Sequence, residues 1–448
     1  MTHDLGDLTA ALLAAAKTAG AEAADAIATD GTSVQIGVKA GKLEQAERAE
    51  GIEIGLRVLI GQKQAIVSAS DTSADTITEM AQRAVAMARV APDDPWIGLA
   101  DPAQLASARD ASGLELFDPS GEPDVAALQE DAQAAEAAAL DVAGISQVES
   151  ASAGYSANRV HLAASNGFAG GYARTGRGIS CVAITGEGTG MERDYFGDHR
   201  IFGADLSAAA TVGQIAAERT LARAGARKPP TGAYPVLYDE RIAAGLIGHL
   251  LSAVNGSAVA RGASWLRDDL GKQVLPDDLT ITENPLRPRT SGSRPFDAEG
   301  LPVATREIVA GGILQSFTLD LASARQLGME STGAARRGTS SAPRPGLSNI
   351  ALTQSTASRD DLIRDMGTGL IVTSMLGSSI NPNTGDYSRG ASGLWVENGQ
   401  VQFAVNECTI AGNLRDMLCS LRAANDARPH LSHVVPSLLV EGLTIAGA

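Results

Sequence analysis

Residues 33–70 read SVQIGVKAGKLEQAERAEGIEIGLRVLIGQKQAIVSAS, and the spacing of their apolar side chains decides the fold class. Val34, Ile36 and Val38 alternate at period two, as do Ile52, Ile54, Leu56 and Val58, and then Ala65 and Val67. That period belongs to half-buried strands, because a helix would bring its apolar face round about every 3.6 residues. Gly-containing turns separate the runs, so the stretch predicts a meander of three or four strands.

Working outward, residues 8–27 are rich in Ala and Leu with Asp7 or Thr9 available as a cap, and predict a helix ending near Gly20 or just beyond. Helical spacing returns over 73–90, and Pro92 and Pro95 close it because proline cannot extend a helix. The order then repeats loosely: an Ala-rich helix over 123–143, strands with Ser-Asn-Gly and Gly-rich turns over 146–200, and a helix over 204–224. Residues 224–232, AGARKPPTG, have the composition of a linker and mark the expected main boundary. The prediction is an α+β protein. An N-terminal helix–antiparallel-sheet–helix domain spans 1–224, divisible into 1–110 and 111–224, and a mostly antiparallel β-rich domain spans 233–448.

The totals narrow the function classes. A chain of 448 residues has room for two or three domains, and 44% hydrophobic with 20% charged residues excludes wholesale disorder. A net charge of −16 with no Lys/Arg stripe argues against nucleic-acid binding. Cys181, Cys408 and Cys419 are an odd number without CxxC spacing, which fits a reducing, cytoplasmic setting. Asp4 and Asp7 stand where a secretory signal would be basic, and no apolar run approaches the ~20 residues of a membrane span, so a mature N-terminus is expected.

Tyr234–Arg261 resembles the metal-binding helix of the TldD/TldE (PmbA) family, whose catalytic member carries His-Glu-x-x-x-His after a strand. Here the six positions read Ala244-Gly245-Leu246-Ile247-Gly248-His249. NTGDYSRGASGLWVENG (383–399) and NECTIAGNL (406–414) resemble the TldE pattern more specifically. DAEGLP (297–302), LDLASARQLG (319–328), STGAARRG (331–338), GIEIGLRVLIG (51–61) and ASNG (164–167) carry the likeness over nearly the whole chain.

A catalytic zinc needs about three protein ligands and a nearby carboxylate to take the proton of its water. Ala244 and Gly245 offer neither, and only His249 remains. Glu240 lies nine positions before His249, which at about 100° per residue places it on the opposite helix face, and Asp239 belongs to the strand end. His249 shares the face of Ile242 and Leu246 and is expected to be a satisfied core or interface histidine. No metal is expected in this chain.

Asp386, Tyr387, Ser388 and Arg389 are the candidates for substrate or partner binding, with an internal Asp386–Arg389 pair as the alternative. Cys408, in a strand-like run, and Cys419, in a helix-like one, read as small buried apolar residues. His430 and His433 lack a third ligand, and GEGTGM (186–191) lacks the last glycine of a nucleotide fingerprint. Glu192, Asp194 and Asp198, with Tyr195 and His199, read as a solvated hairpin.

The resemblance implies a non-catalytic TldE/PmbA-type subunit pairing with a TldD-like chain that brings the zinc and the general base. Together they would degrade unfolded or extended peptides, among them peptide-antibiotic leaders and antitoxins. The alternative is a stand-alone regulatory or binding protein, as the family's older "modulator of DNA gyrase" label suggests. A hydrolase assembling metal through His249 and distant ligands ranks last.

Overall fold

In the computed structural model, which describes residues 4–447, helix α1 (Leu5–Ala19) opens the chain. Its Asp4 cap accepts the Gly6 N–H at 2.8 Å, and Gly20 ends it with φ +98°, a left-handed conformation that costs glycine nothing. Three strands follow: β1 (Ala23–Lys39), β2 (Lys42–Ile60) and β3 (Lys63–Ala69). The meander is therefore three-stranded.

Its first strand begins three residues after Gly20, the expected end of the helix. Ala24, Ala26 and Ala28 favour a helix by propensity, yet they alternate, and their small side chains let α1 and α2 (Ala74–Val90) pack directly on the sheet. Burial overrides propensity there.

Helix α3 (Val125–Leu140), the long strands β4 (Ile145–Ala164) and β5 (Ala169–Thr185), the edge strand β6 (Glu192–Arg200) and α4 (Ala209–Leu221) complete this half. The repeated order does not build two sheets. One six-stranded sheet runs β3-β2-β1-β4-β5-β6, since β1 pairs along its length with both β2 and β4. On β1 the even residues from Ala24 to Val38 face the four helices. The odd residues form the opposite face, where Ile27 meets Phe168 and Phe296.

Past Leu221 the chain enters β7 (Gly232–Tyr238), α5 (Glu240–Ala253) and α6 (Gly256–Ala260). Short strands β8 (Ile281–Glu283), β9 (Arg306–Ala310) and β10 (Ile313–Leu314) precede α7 (Leu321–Leu327). The pair β11 (Ala335–Arg336) and β12 (Arg344–Pro345), then β13 (Ile350–Leu352) and α8 (Arg359–Met366), lead to three longer strands. These are β14 (Gly369–Ile380), β15 (Asp386–Glu397) and β16 (Gln400–Asn413). After α9 (Leu414–Cys419) come β17 (Arg422–Ala423), β18 (His433–Val434) and β19 (Leu438–Ala446). Strands β16-β15-β14-β7-β19 form a barrel that a β16–β19 pairing closes, and a smaller sheet runs β10-β9-β8-β13-β18. Closure removes the free edges that would invite aggregation. No helix among the described residues is long and apolar enough to cross a membrane.

The two halves meet through buried charge. Glu299 of the second half lies beside Arg57 of the first, and its Oε2 accepts the Leu321 N–H at 2.9 Å, close to Asp297 and Asp320. Burial, then the Asp297 and Asp320 charges, push the Glu299 carboxyl well above its ordinary 4.5. A raised folded-state pKa contributes stability that is complete below the unfolded value and is lost as pH rises toward the folded one. Glu299→Gln should therefore gain stability relative to the parent between pH 5 and pH 8, measured as the difference in thermal midpoints. An unchanged difference at the two pH values would count against this assignment.

Candidate functional site

Ala244, Gly245 and His249 lie on helix α5, which strand β7 feeds. Asp239 caps the helix, accepting the Arg241 N–H at 3.3 Å, and is held by Arg359 at 3.1 Å. Glu240 turns to Arg428, at 2.7 Å, away from His249, as the nine-residue spacing requires. On the other face, a Cβ added at Gly245 or Gly248 would meet nothing within 4 Å, so no neighbouring group requires glycine at either position.

His249 lies half-buried with its ring edge-on to Tyr387, the centroids 5.7 Å apart. Burial, then the Arg389 charge, lowers its pKa, which keeps the imidazole neutral at pH 7. Its Nε2 is buried and has no hydrogen-bond partner among the described residues, so the expectation of a satisfied histidine fails.

Tyr387 and Arg389 are two apart on β15 and share its inner face. The Tyr238 hydroxyl donates to the Tyr387 hydroxyl at 3.4 Å, and Tyr387 donates to Met375 Sδ at 3.7 Å. Burial raises both tyrosine pKa values. Arg389 Nε donates to the Gly377 carbonyl at 2.7 Å, and its charge acts on Tyr238, Tyr387 and His249 together. Sequence reasoning missed Tyr238 and Met375. Tyr238 ends the strand just before the helix cap, a position readable only once that strand is known to lie against β14.

Asp386 does not pair with Arg389. It accepts from Thr384 Oγ1 at 2.6 Å and Asn413 Nδ2 at 3.2 Å, because an odd separation along a strand sends the two side chains to opposite faces. Ser388 shares the outer face, its backbone in register with Ala411. Thus the strip divides: Tyr387 and Arg389 join the His249 pocket, while Asp386 staples the hairpin to Asn413.

A metal does not fit this donor set. His249 has no second ligand on its helix, Cys408 donates its thiol to the Ala391 carbonyl at 3.2 Å, and burial pushes that thiol up to about 11. The Arg389 cation faces the same space, and no group of three or more His, Cys, Asp or Glu suited to a metal occurs among the described residues.

Three further expectations need correction or placement. Cys419, at the end of α9, is exposed, since its position points off the face that Met417 and Leu418 bury. The acidic hairpin is solvated only in part: Tyr195 and His199 are exposed, whereas Asp194 and Asp198 are buried and bound by Arg241 at 2.9 Å and Arg200 at 2.8 Å. His430 comes within 3.8 Å of Asp198 and takes part in no metal cluster, and GEGTGM forms the β5–β6 hairpin turn.

Comparison with known proteins decides the family. Residues 24–88 match PmbA/TldA metallopeptidase domain 1, 118–224 the PmbA/TldA metallopeptidase central domain, and 231–447 the PmbA/TldA metallopeptidase C-terminal domain. The chain belongs to the PmbA/TldD metallopeptidase family. It is 36% identical to metalloprotease PmbA of Escherichia coli O157:H7 over 440 residues, covering 98% of this chain and 95% of that one. The PmbA homologue of Haemophilus influenzae is also 36% identical, over 435 residues, covering 96% and 93%. A crystal structure from Bacteroides thetaiotaomicron, described as a candidate modulator of DNA gyrase, superposes with TM-score 0.90 at 27% identity over 99% of this chain and 98% of that one. TldE of Thermococcus kodakarensis shares the fold, with TM-score 0.85 at 19% identity over 98% and 100%.

Proposed function

We propose that this chain is a non-catalytic, PmbA/TldE-type subunit that works with a TldD-like chain carrying an intact His-Glu-x-x-x-His. One observation carries the reading: on α5 the positions of the first histidine and the glutamate are Ala244 and Gly245, and a guanidinium faces the remaining imidazole. A water molecule there would find neither a Lewis acid nor a base to take its proton. Zinc and general base belong to the partner, and this chain supplies wall, interface and backbone for an extended, unfolded peptide in the cytoplasm. Peptide-antibiotic leaders and labile antitoxins are the proposed substrate types.

Metal analysis and a peptidase assay of the chain alone and with its TldD-like companion test this. Alone it should hold no stoichiometric zinc and cleave nothing; with the companion an unstructured peptide should be turned over. Arg389→Ala should fold normally yet lower the activity of the pair about tenfold, the loss expected of one charge-assisted contact. Stoichiometric zinc with turnover by the isolated chain would overturn the proposal. The description of the Bacteroides neighbour favours a second reading, a regulatory protein active without a companion, which such an isolated, metal-free and peptidase-silent protein would support if the pair were silent too.

A further inference from the structure

The face of the first sheet opposite its helices carries a pocket of about 410 Å³, well away from His249 and within the range of ligand sites. Its floor is built by register. Across β1, β4, β5 and β6 one row reads Gln35, Gly154, Gly178, His199, and neighbouring rows bring Ser152 beside Ser180 and Ser156 beside Gly176. The glycines are required: a Cβ on Gly154 would come within 2.5 Å of Gln35 Oε1, and one on Gly178 within 2.5 Å of His199 Cδ2. Small residues thus hollow the sheet so that polar side chains lie across it.

The lining is one-sided in charge. Arg174, Arg177, Arg200 and Arg289 border it with His199 and His430, and no carboxylate does, in a chain of net charge −16. Arg200 pairs with Asp198, Arg177 with Asp131, and Arg289 with Glu115 and Asp205, all outside the lining. Arg174 has only neutral partners among the described residues, the Ser293 carbonyl and the Tyr172 ring. The Nε of Arg174 is buried without an acceptor among the described residues, whereas the Arg177 side chain, one residue out of phase with the pocket row, turns to Asp131 of α3 on the helix face. Buried donors left unpaired are costly and define the kind of group that would complete them.

Ser33, Ser156 and Arg174 also border a wider groove of about 770 Å³, and Ile27, Val160, Tyr172 and Arg337 continue it into a third cavity of about 450 Å³. The trough is longer than a single small ligand and lies along paired strands. We infer that the Arg174 pocket is a subsite for carboxylate side chains of an extended peptide lying in this trough, so the favoured substrate carries an acidic segment. The inference rests on the peptide-accommodating role proposed above.

Fluorescence anisotropy of labelled hexaglutamate, hexalysine and hexaserine peptides with the isolated full chain tests it. Hexaglutamate should bind at least tenfold more tightly than either of the others, and added salt should weaken it. Arg174→Ala should weaken it about tenfold, as loss of one charge-assisted bond predicts. Ser156→Asp, which adds a carboxylate to the floor without removing a structural contact, should abolish the preference; circular dichroism confirms that each variant is folded. Equal binding of the three peptides, unchanged binding in both folded variants, or calorimetric binding of pyrophosphate without any hexaglutamate binding would each overturn the subsite. Turnover of a neutral peptide by the pair with the companion, alongside any of those results, leaves the subunit role standing and removes only the acidic preference.

Discussion

Asp25→Ala should destabilise the protein by about 3–5 kcal/mol, the cost of leaving a buried charge without its partner. Asp25 accepts from Arg57 Nε at 2.8 Å and also from Arg337, and the exposures of the three side chains are 6%, 4% and 0%. Burial opposes ionisation of Asp25, yet the Arg337 and Arg57 charges outweigh it and hold the carboxyl below its ordinary 3.8. A depressed pKa gives stability present above the unfolded value and lost only as pH falls through the folded one, so the triad should remain intact at pH 5. Its position matters because Arg57 is on β2 and Arg337 follows β11, so the triad ties the first sheet to the second half. Urea unfolding measures the loss. Asp30→Ala, which breaks the half-exposed pair with Arg159, is the control and should cost no more than about 1 kcal/mol. Replacing all three triad residues by apolar ones of similar volume should recover most of the loss. Equal effects for Asp25→Ala and Asp30→Ala would sink the argument.

Gly393→Ala should cost about 3 kcal/mol or more and loosen the barrel. A Cβ there would lie 1.7 Å from the Ile371 carbonyl oxygen of β14, and the next contacts, the Ile371 carbonyl carbon at 2.8 Å and Val372 Cα at 3.0 Å, are also backbone, so no side chain can swing aside. The register of β15 on its partners shifts beside this residue, which is how the strand bends into a closed barrel. Trp395, two residues on and 1% exposed, reports the damage: its emission should move to longer wavelength in the variant. Gly245→Ala is the matched comparison, since a Cβ there meets nothing and alanine favours a helix by about 1 kcal/mol. If both substitutions shift the thermal midpoint in the same direction and by the same amount, the close approach is not what constrains position 393.

These two sites show why a motif can be readable before its meaning is. The strings holding Gly393 and Arg337 stand out in the chain because their residues are unusual in combination. Their reasons lie in contacts with Ile371 and Asp25, the second of them more than three hundred positions away. The Asp386–Arg389 pair failed for a local reason, strand parity, which became decidable once the segment was known to be a strand. The helix end near Gly20 was readable from the glycine itself, whereas the strand role of Ala24, Ala26 and Ala28 was not, because single-residue preference favours a helix there and one of the helices that cover them comes from later in the chain.

By itself the sequence determined the alternation that makes strands, the caps and glycines that end helices, and the loss of two donor positions at Ala244 and Gly245. Each depends on neighbours within a turn or a strand, where spacing maps directly onto geometry. Tertiary structure decided the rest. It fused two apparent repeats into one sheet, aimed Arg389 at His249, hid Asp25 among arginines, and set Arg174, without a carboxylate partner among the described residues, beside an acid-free pocket. Such arrangements depend on which faces and registers meet across long separations, and a buried charge or an unpaired donor acquires its energy only when that meeting removes water.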